Sequence, residues 1–136
     1  MITGADQWDT TRWYNFAAKE FVCTHCNALK ISPIALDFLQ GYRTFTGKSV
    51  VITSAYRCPE HNNSVSSTGE DGPHTTGFAI DISTNTQSQY QLLRFALHYT
   101  PRPLGLGIAK SFTHLDWCDA DVGQKYVVRP NVWRYA

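Results

Sequence analysis

Charge is scarce in this chain. Only 17% of its 136 residues are Asp, Glu, Lys or Arg, against about 25% in an average soluble protein. Twelve basic and eleven acidic residues leave a formal charge of +1. That balance carries no electrostatic footprint for nucleic acid or for an anionic membrane surface, so neither is expected as a partner. Long apolar runs are missing as well. No stretch approaches the roughly 18 residues of a membrane span. The segment Met1 to Asp9 has no basic region and no apolar stretch, so no secretory leader is expected there. The expectation is a product made soluble in the cytoplasm, reaching any target outside the cell by another export route or by lysis.

Cysteine is also sparse: Cys23, Cys26, Cys58 and Cys118. Cys23-Thr24-His25-Cys26 has the spacing of half a structural zinc site, but a matching second pair is missing. A disulfide or buried free thiols are the readings preferred over a zinc on these cysteines.

Apolar and aromatic residues are plentiful, at 43% and 13%. A chain of this length and composition is expected to form one globular domain over residues 1–136, and to act as a monomer. Residues 1–22 carry aromatics without periodicity and read as an irregular arm packed across the domain. Ser32-Pro33 suits the start of a helix, with Ser as cap and Pro in the first turn. Ala35, Phe38, Leu39, Tyr42 and Phe45 recur at helical spacing until Gly47 ends it. Ser49–Arg57 and Phe78–Ser83 read as strands. Between them, Cys58–Thr76 reads as a long loop, and such loops are often functional. Gln87–Tyr99 reads as a second helix. Gly105–Ala109 and Phe112–Trp117 read as a closing hairpin, with a further short strand at Lys125–Val128. This order predicts an α+β fold: a small antiparallel sheet with helices packed against it.

Two stretches carry chemistry. In Gly72-Pro73-His74-Thr75-Thr76-Gly77-Phe78-Ala79-Ile80-Asp81-Ile82, a strand-borne Asp sits between two Ile residues. Burying a carboxylate there is costly unless it is paired or ligates a metal. Gly77 permits the sharp turn that brings His74 back beside Asp81. In Ser111-Phe112-Thr113-His114-Leu115-Asp116-Trp117, strand alternation puts His114 and Asp116 on one face. Two His and one Asp form the three-ligand set of a catalytic zinc site, with a fourth position for water.

Together with Ser54-Ala55-Tyr56-Arg57-Cys58-Pro59-Glu60-His61-Asn62, these stretches resemble the zinc D-Ala-D-Ala peptidase family. That family shares its fold with the hedgehog signalling domain and includes D,D-carboxypeptidases, vancomycin-resistance dipeptidases and phage endolysins. Glu20-Phe21-Val22-Cys23 and Tyr42-Arg43 also resemble its small single-domain branch. The resemblance spans about residues 15–118. It implies one zinc ion per chain, held by His74, Asp81 and His114, and a peptidoglycan stem peptide as substrate. Arg57 falls on the family's substrate-binding arginine and is expected to stabilise the oxyanion as well. Asn62 is expected to order the loop and to join Arg57 in substrate binding. A bare domain of this kind resembles a phage lysis or tail-associated enzyme acting on the cell wall.

Two positions depart from the family pattern. Many relatives carry Ser before the first zinc His, where this chain has Pro73. Several branches carry an acidic general base three residues before the last zinc His, where this chain has Ser111. Among Asp116, Glu70, Asp71, Glu60 and Asp119, Asp116 is the preferred base, because a strand fixes it on the face of a ligand. Its competing role is to hydrogen-bond and orient a ligand imidazole. The missing acid at Ser111 also keeps open a cell-wall-binding or virion-structural module that retains the fold without turnover, beside a hydrolase acting on another small amide.

Overall fold

The computed structural model describes residues 1–122 and 128–135. Helix α1, Pro33–Thr46, begins where its cap chemistry dictates: the Ser32 hydroxyl accepts from the Ile34 N–H at 3.2 Å. It ends at Gly47, in the left-handed region at φ 66°. Its apolar stripe buries Leu36, Phe38, Leu39 and Tyr42. Phe38 is the hub, with ring centroids 5.5 Å from Phe95, 5.2 Å from Tyr99 and 5.4 Å from Trp117. Phe95 belongs to α3, Gln89–His98, which Ser88 caps. Removing a buried ring of this kind costs about 3–5 kcal/mol.

The strands are β1 (Ile52–Ser54), β2 (Ala79–Ser83), β3 (Gly105–Ile108), β4 (Phe112–Asp116) and β5 (Asn131–Arg134), in the order β1-β2-β4-β3-β5. Four of them pair antiparallel, as expected of the α+β fold; β5 joins β3 parallel. Ile80 lies opposite Leu115, which in turn lies opposite Leu106, and all three enter the core with α1 and α3. The alternate residues face the other way. Asp81 lies opposite His114, which faces Gly107, which faces Trp133. One sheet face is therefore core and the other is the functional face.

The arm of residues 1–22 contains two single turns, Ala5–Gln7 and Ala18–Glu20, and buries Trp13, Phe16 and Phe21. The Trp13 indole donates to Asp37 of α1 at 2.8 Å, which fixes the arm on that helix. The first expected strand is shorter than its β-branched run. Its register with β2 shifts between Ile52 and Ser54, and the chain then leaves the sheet, the Arg57 N–H bonding to the His74 carbonyl at 3.1 Å. The expected loop 58–76 contains helix α2, Pro59–Val65, and a single turn at Pro73–Thr75. Seven residues are too few for a helical period to stand out. β5 had no sequence signal, and the strand expected at Lys125–Val128 falls on residues 123–127, outside the described residues, with Val128 itself outside any strand. No helix among the described residues is long and apolar enough to cross a membrane.

Candidate metal centre

His74 stands on the single turn at 73–75, and the chain then reverses through Gly77 at φ 82°. A side chain at Gly77 would also press on the Lys30 carbonyl at 3.0 Å. This reversal delivers His74 beside the pair formed by Asp81 on β2 and His114 on β4. All three side chains are buried. His74 Nε2 lies 3.2 Å from Asp81 Oδ1, His114 Nδ1 lies 2.9 Å from the same oxygen, and the two nitrogens are 3.2 Å apart.

The outward contacts determine which atoms carry protons. His74 Nδ1 donates to the Ala55 carbonyl at 2.6 Å, because a carbonyl only accepts. His114 Nε2 donates to Asp116 Oδ2 at 2.7 Å. In the neutral imidazoles, His74 Nε2 and His114 Nδ1 are therefore lone pairs aimed at an ionised carboxylate oxygen. Three converging lone pairs repel one another unless a cation or a proton lies among them. Tetrahedral zinc with bonds of about 2.0–2.1 Å would space its ligands about 3.3 Å apart. The observed separations and the donor set fit such an ion.

The electrostatics favour ionised carboxylates and set the two rings apart. Burial pushes the Asp81 carboxyl up, but the His74 and His114 imidazoles outweigh it and hold it far below the usual carboxylate range. Burial lowers the His74 pKa despite the neighbouring Asp81. Burial also works against charging His114, yet hydrogen bonds to Asp116 and Asp81 raise it on balance. Asp116 feels burial in the opposite sense, and His114 and Arg129 bring it down to about 2.

Asp116 does share the face of His114, as the alternation predicts. It does not reach the converging lone pairs. Its carboxylate bonds the opposite nitrogen of the ring, is fully buried, and takes two bonds from Arg129, at 2.8 Å from Nε and 2.6 Å from Nη2. Asp116 lies against the outer nitrogen of the His114 ring, on the far side of that ring from the converging atoms. Glu60, Glu70 and Asp71 are exposed and line neither of the cavities that open at the site. Asp119 caps the turn at 120–122 through the Asp121 N–H. Ser111 is exposed, and its carbonyl accepts from Thr84.

Arg57 is held from three sides. Its Nε donates to Ser54 Oγ and its Nη1 to Asn62 Oδ1, both at 3.1 Å, and its Nη2 lies 3.7 Å from Asp81 Oδ2. Asn62 is buried and spends its amide on Thr68 and the Gly69 carbonyl. Both residues line a cavity of about 690 Å³ together with His74, Asp81, Phe112, Trp133 and Tyr135. His61 turns away and stacks on His25. Arg129, Trp133 and Tyr135 were missed from sequence. The signal was the pair of glycines opposite them: a side chain at Gly105 would collide with Asp116 and Arg129, and one at Gly107 with Trp133. The four cysteines are free; Cys26 is exposed, and burial pushes the Cys118 thiol up to about 12.

Two imidazoles and a carboxylate that converge beside an open cavity, with a fixed guanidinium next to them, make a donor set suited to a metal-dependent hydrolase. Sequence comparison narrows that class. The model of the family Peptidase M15 matches residues 14–116, so the chain belongs to this metallopeptidase family. No curated protein and no solved structure matches it.

Proposed function

We propose that the protein is a zinc peptidase that hydrolyses peptide bonds in peptidoglycan stem peptides. The observation that carries this reading is the convergence of donor atoms from His74, Asp81 and His114 beside a cavity that His74, Asp81 and Arg57 line. A zinc ion held there supplies Lewis acidity toward the scissile carbonyl and lowers the pKa of water to about 7. His74 and His114 act as neutral donors, each fixed in its tautomer by its outer hydrogen bond. Asp116 and Arg129 hold the His114 ring in orientation. Arg57 offers a cation, anchored by Ser54 and Asn62, to a substrate carboxylate and to the developing oxyanion. Phe112, Trp133 and Tyr135 line the same cavity and offer apolar surface to the peptide. A stem peptide suits this cavity, because it is short, anionic and carries small side chains between its carboxylates. The resemblance of its motifs to the small single-domain branch of the family supports a phage-type lytic role on the cell wall.

Digestion of purified cell walls, followed by mass spectrometry of products from defined muropeptides, tests the reading. Chelator-sensitive release of stem-peptide fragments is expected; intact muropeptides after incubation with zinc-loaded protein would overturn it. One observation favours a second reading, a wall-binding module without turnover. Among the described residues lining the larger cavity, Asp81 is the only carboxylate, and it faces both imidazoles. Tight muropeptide binding without any product would select that module.

A further inference from the structure

A second cluster of soft donors lies outside the site described above. Cys23, Cys26 and Cys58 place their sulfurs within 4.8 Å of one another. We propose that these three thiols hold a second, structural zinc ion, with His25 as the fourth ligand. The sulfurs come from two segments 35 residues apart that the fold brings together. Residues 23–28 form a tight knuckle: the Asn27 N–H bonds the Cys23 carbonyl, the Cys23 N–H bonds the Ala28 carbonyl, each at 2.8 Å, and Asn27 takes φ 61°. From the other segment, the Cys58 N–H points at Cys23 Sγ at 3.4 Å, the contact that backbone amides make to metal-bound sulfur. His25 Nδ1 stands 3.4 Å from Cys58 Sγ.

Zinc–sulfur bonds of about 2.3 Å would bring the sulfurs to about 3.8 Å from one another, within reach of side-chain rotation. Three sulfurs and one imidazole form a closed tetrahedral set, which leaves no position for substrate. On binding, each thiol releases its proton to solvent and no electron is transferred. A disulfide accounts for two of the three thiols and leaves the third unexplained. The ion would join the N-terminal arm to the segment that carries Arg57. Tyr56, next to Arg57, already donates to the Phe21 carbonyl at 3.4 Å, and Cys58 follows Arg57 directly.

Cobalt(II) titration of the reduced, metal-free full chain tests the proposal independently of activity, because the His74, Asp81 and His114 site contains no sulfur. Thiolate-to-cobalt charge-transfer bands are expected in the wild type and in His74→Ala, and zinc should displace them. Cys26→Ser, at an exposed position, should lose most of that intensity while keeping the cobalt bound at the His74 site. Native mass spectrometry should find a second equivalent of zinc in the wild type that Cys26→Ser lacks. Absence of charge-transfer bands in reduced wild-type protein would overturn the proposal. So would a disulfide among these three cysteines in protein purified under nitrogen, seen as the loss of two hydrogens in mass. An unchanged d–d envelope in His25→Ala would overturn the histidine ligand.

Discussion

The two histidines at the candidate centre receive their character from groups on the side away from the cavity. Ala55 supplies a carbonyl to one ring and Asp116 a carboxylate to the other, and each contact leaves a lone pair pointing inward. We therefore propose Asp116 as an orienting group, and its variants should read that way. Asp116→Asn is expected to bind zinc about 10–100-fold more weakly and to regain rate when zinc is in excess. Zinc titration monitored by calorimetry and by muropeptide cleavage checks both. Undiminished affinity with a rate lowered by about 10²–10⁴ would instead return Asp116 to proton transfer. Arg57 separates differently. Its contacts with Ser54 and Asn62 position it without making it a donor to the metal. Arg57→Ala should keep full zinc content and lose about 10²–10³ in kcat, the usual effect of removing an oxyanion partner. Metal analysis beside stem-peptide kinetics distinguishes this from a surface ion pair, whose loss would leave turnover unchanged.

At the scale of elements, β5 has the largest consequence for the site. It lies parallel to β3, whose glycines leave room for Arg129 and Trp133 to reach across toward β4. Arg129 neutralises a carboxylate that is otherwise sealed in protein. Arg129→Ala strands that charge, and such truncations cost about 3–5 kcal/mol. Urea denaturation of the metal-free variant should show a loss of this size, and its zinc affinity should fall with that of Asp116→Asn. If the two substitutions act through the same ring, their effects on affinity will not add in the double variant. The strand was missed in the sequence for a physical reason: three of its four residues are exposed, so no apolar alternation announces it, and the clearance at Gly105 and Gly107 was the signal left. The convergence of His74, Asp81 and His114 was legible, because His74, Gly77 and Asp81 encode a reversal and His114 shares strand parity with Asp116. The contact that Asp116 makes was not, since parity gives the face of a residue but not which ring nitrogen it meets. Helix α1 was legible at both ends, where Ser32 and Gly47 do what cap chemistry requires.

Across the whole molecule, the sheet divides its labour between faces. Ile80, Ile82, Leu115 and the rings around Phe38 stabilise one side, while Asp81, His114 and Asp116 place buried polar groups on the other. The second side gains little from apolar burial, and its lone pairs oppose one another until a cation joins them. A metal that binds only the folded chain must therefore stabilise it, by about 2.7 kcal/mol when its free concentration is 100 times its dissociation constant. Chelation should lower the urea midpoint of the wild type by a corresponding amount, with little change in slope. His74→Ala should lose the share of that response that belongs to the candidate centre. Any chelator response that persists in His74→Ala must come from elsewhere, and the thiols of Cys23, Cys26 and Cys58 are the remaining soft donors gathered in one place among the described residues. If that residual response disappears in His74→Ala combined with Cys26→Ser, metal ions stabilise the fold at two places, the sheet face and the junction between arm and Arg57 segment. A chelator response abolished by His74→Ala alone would confine metal stabilisation to the sheet face.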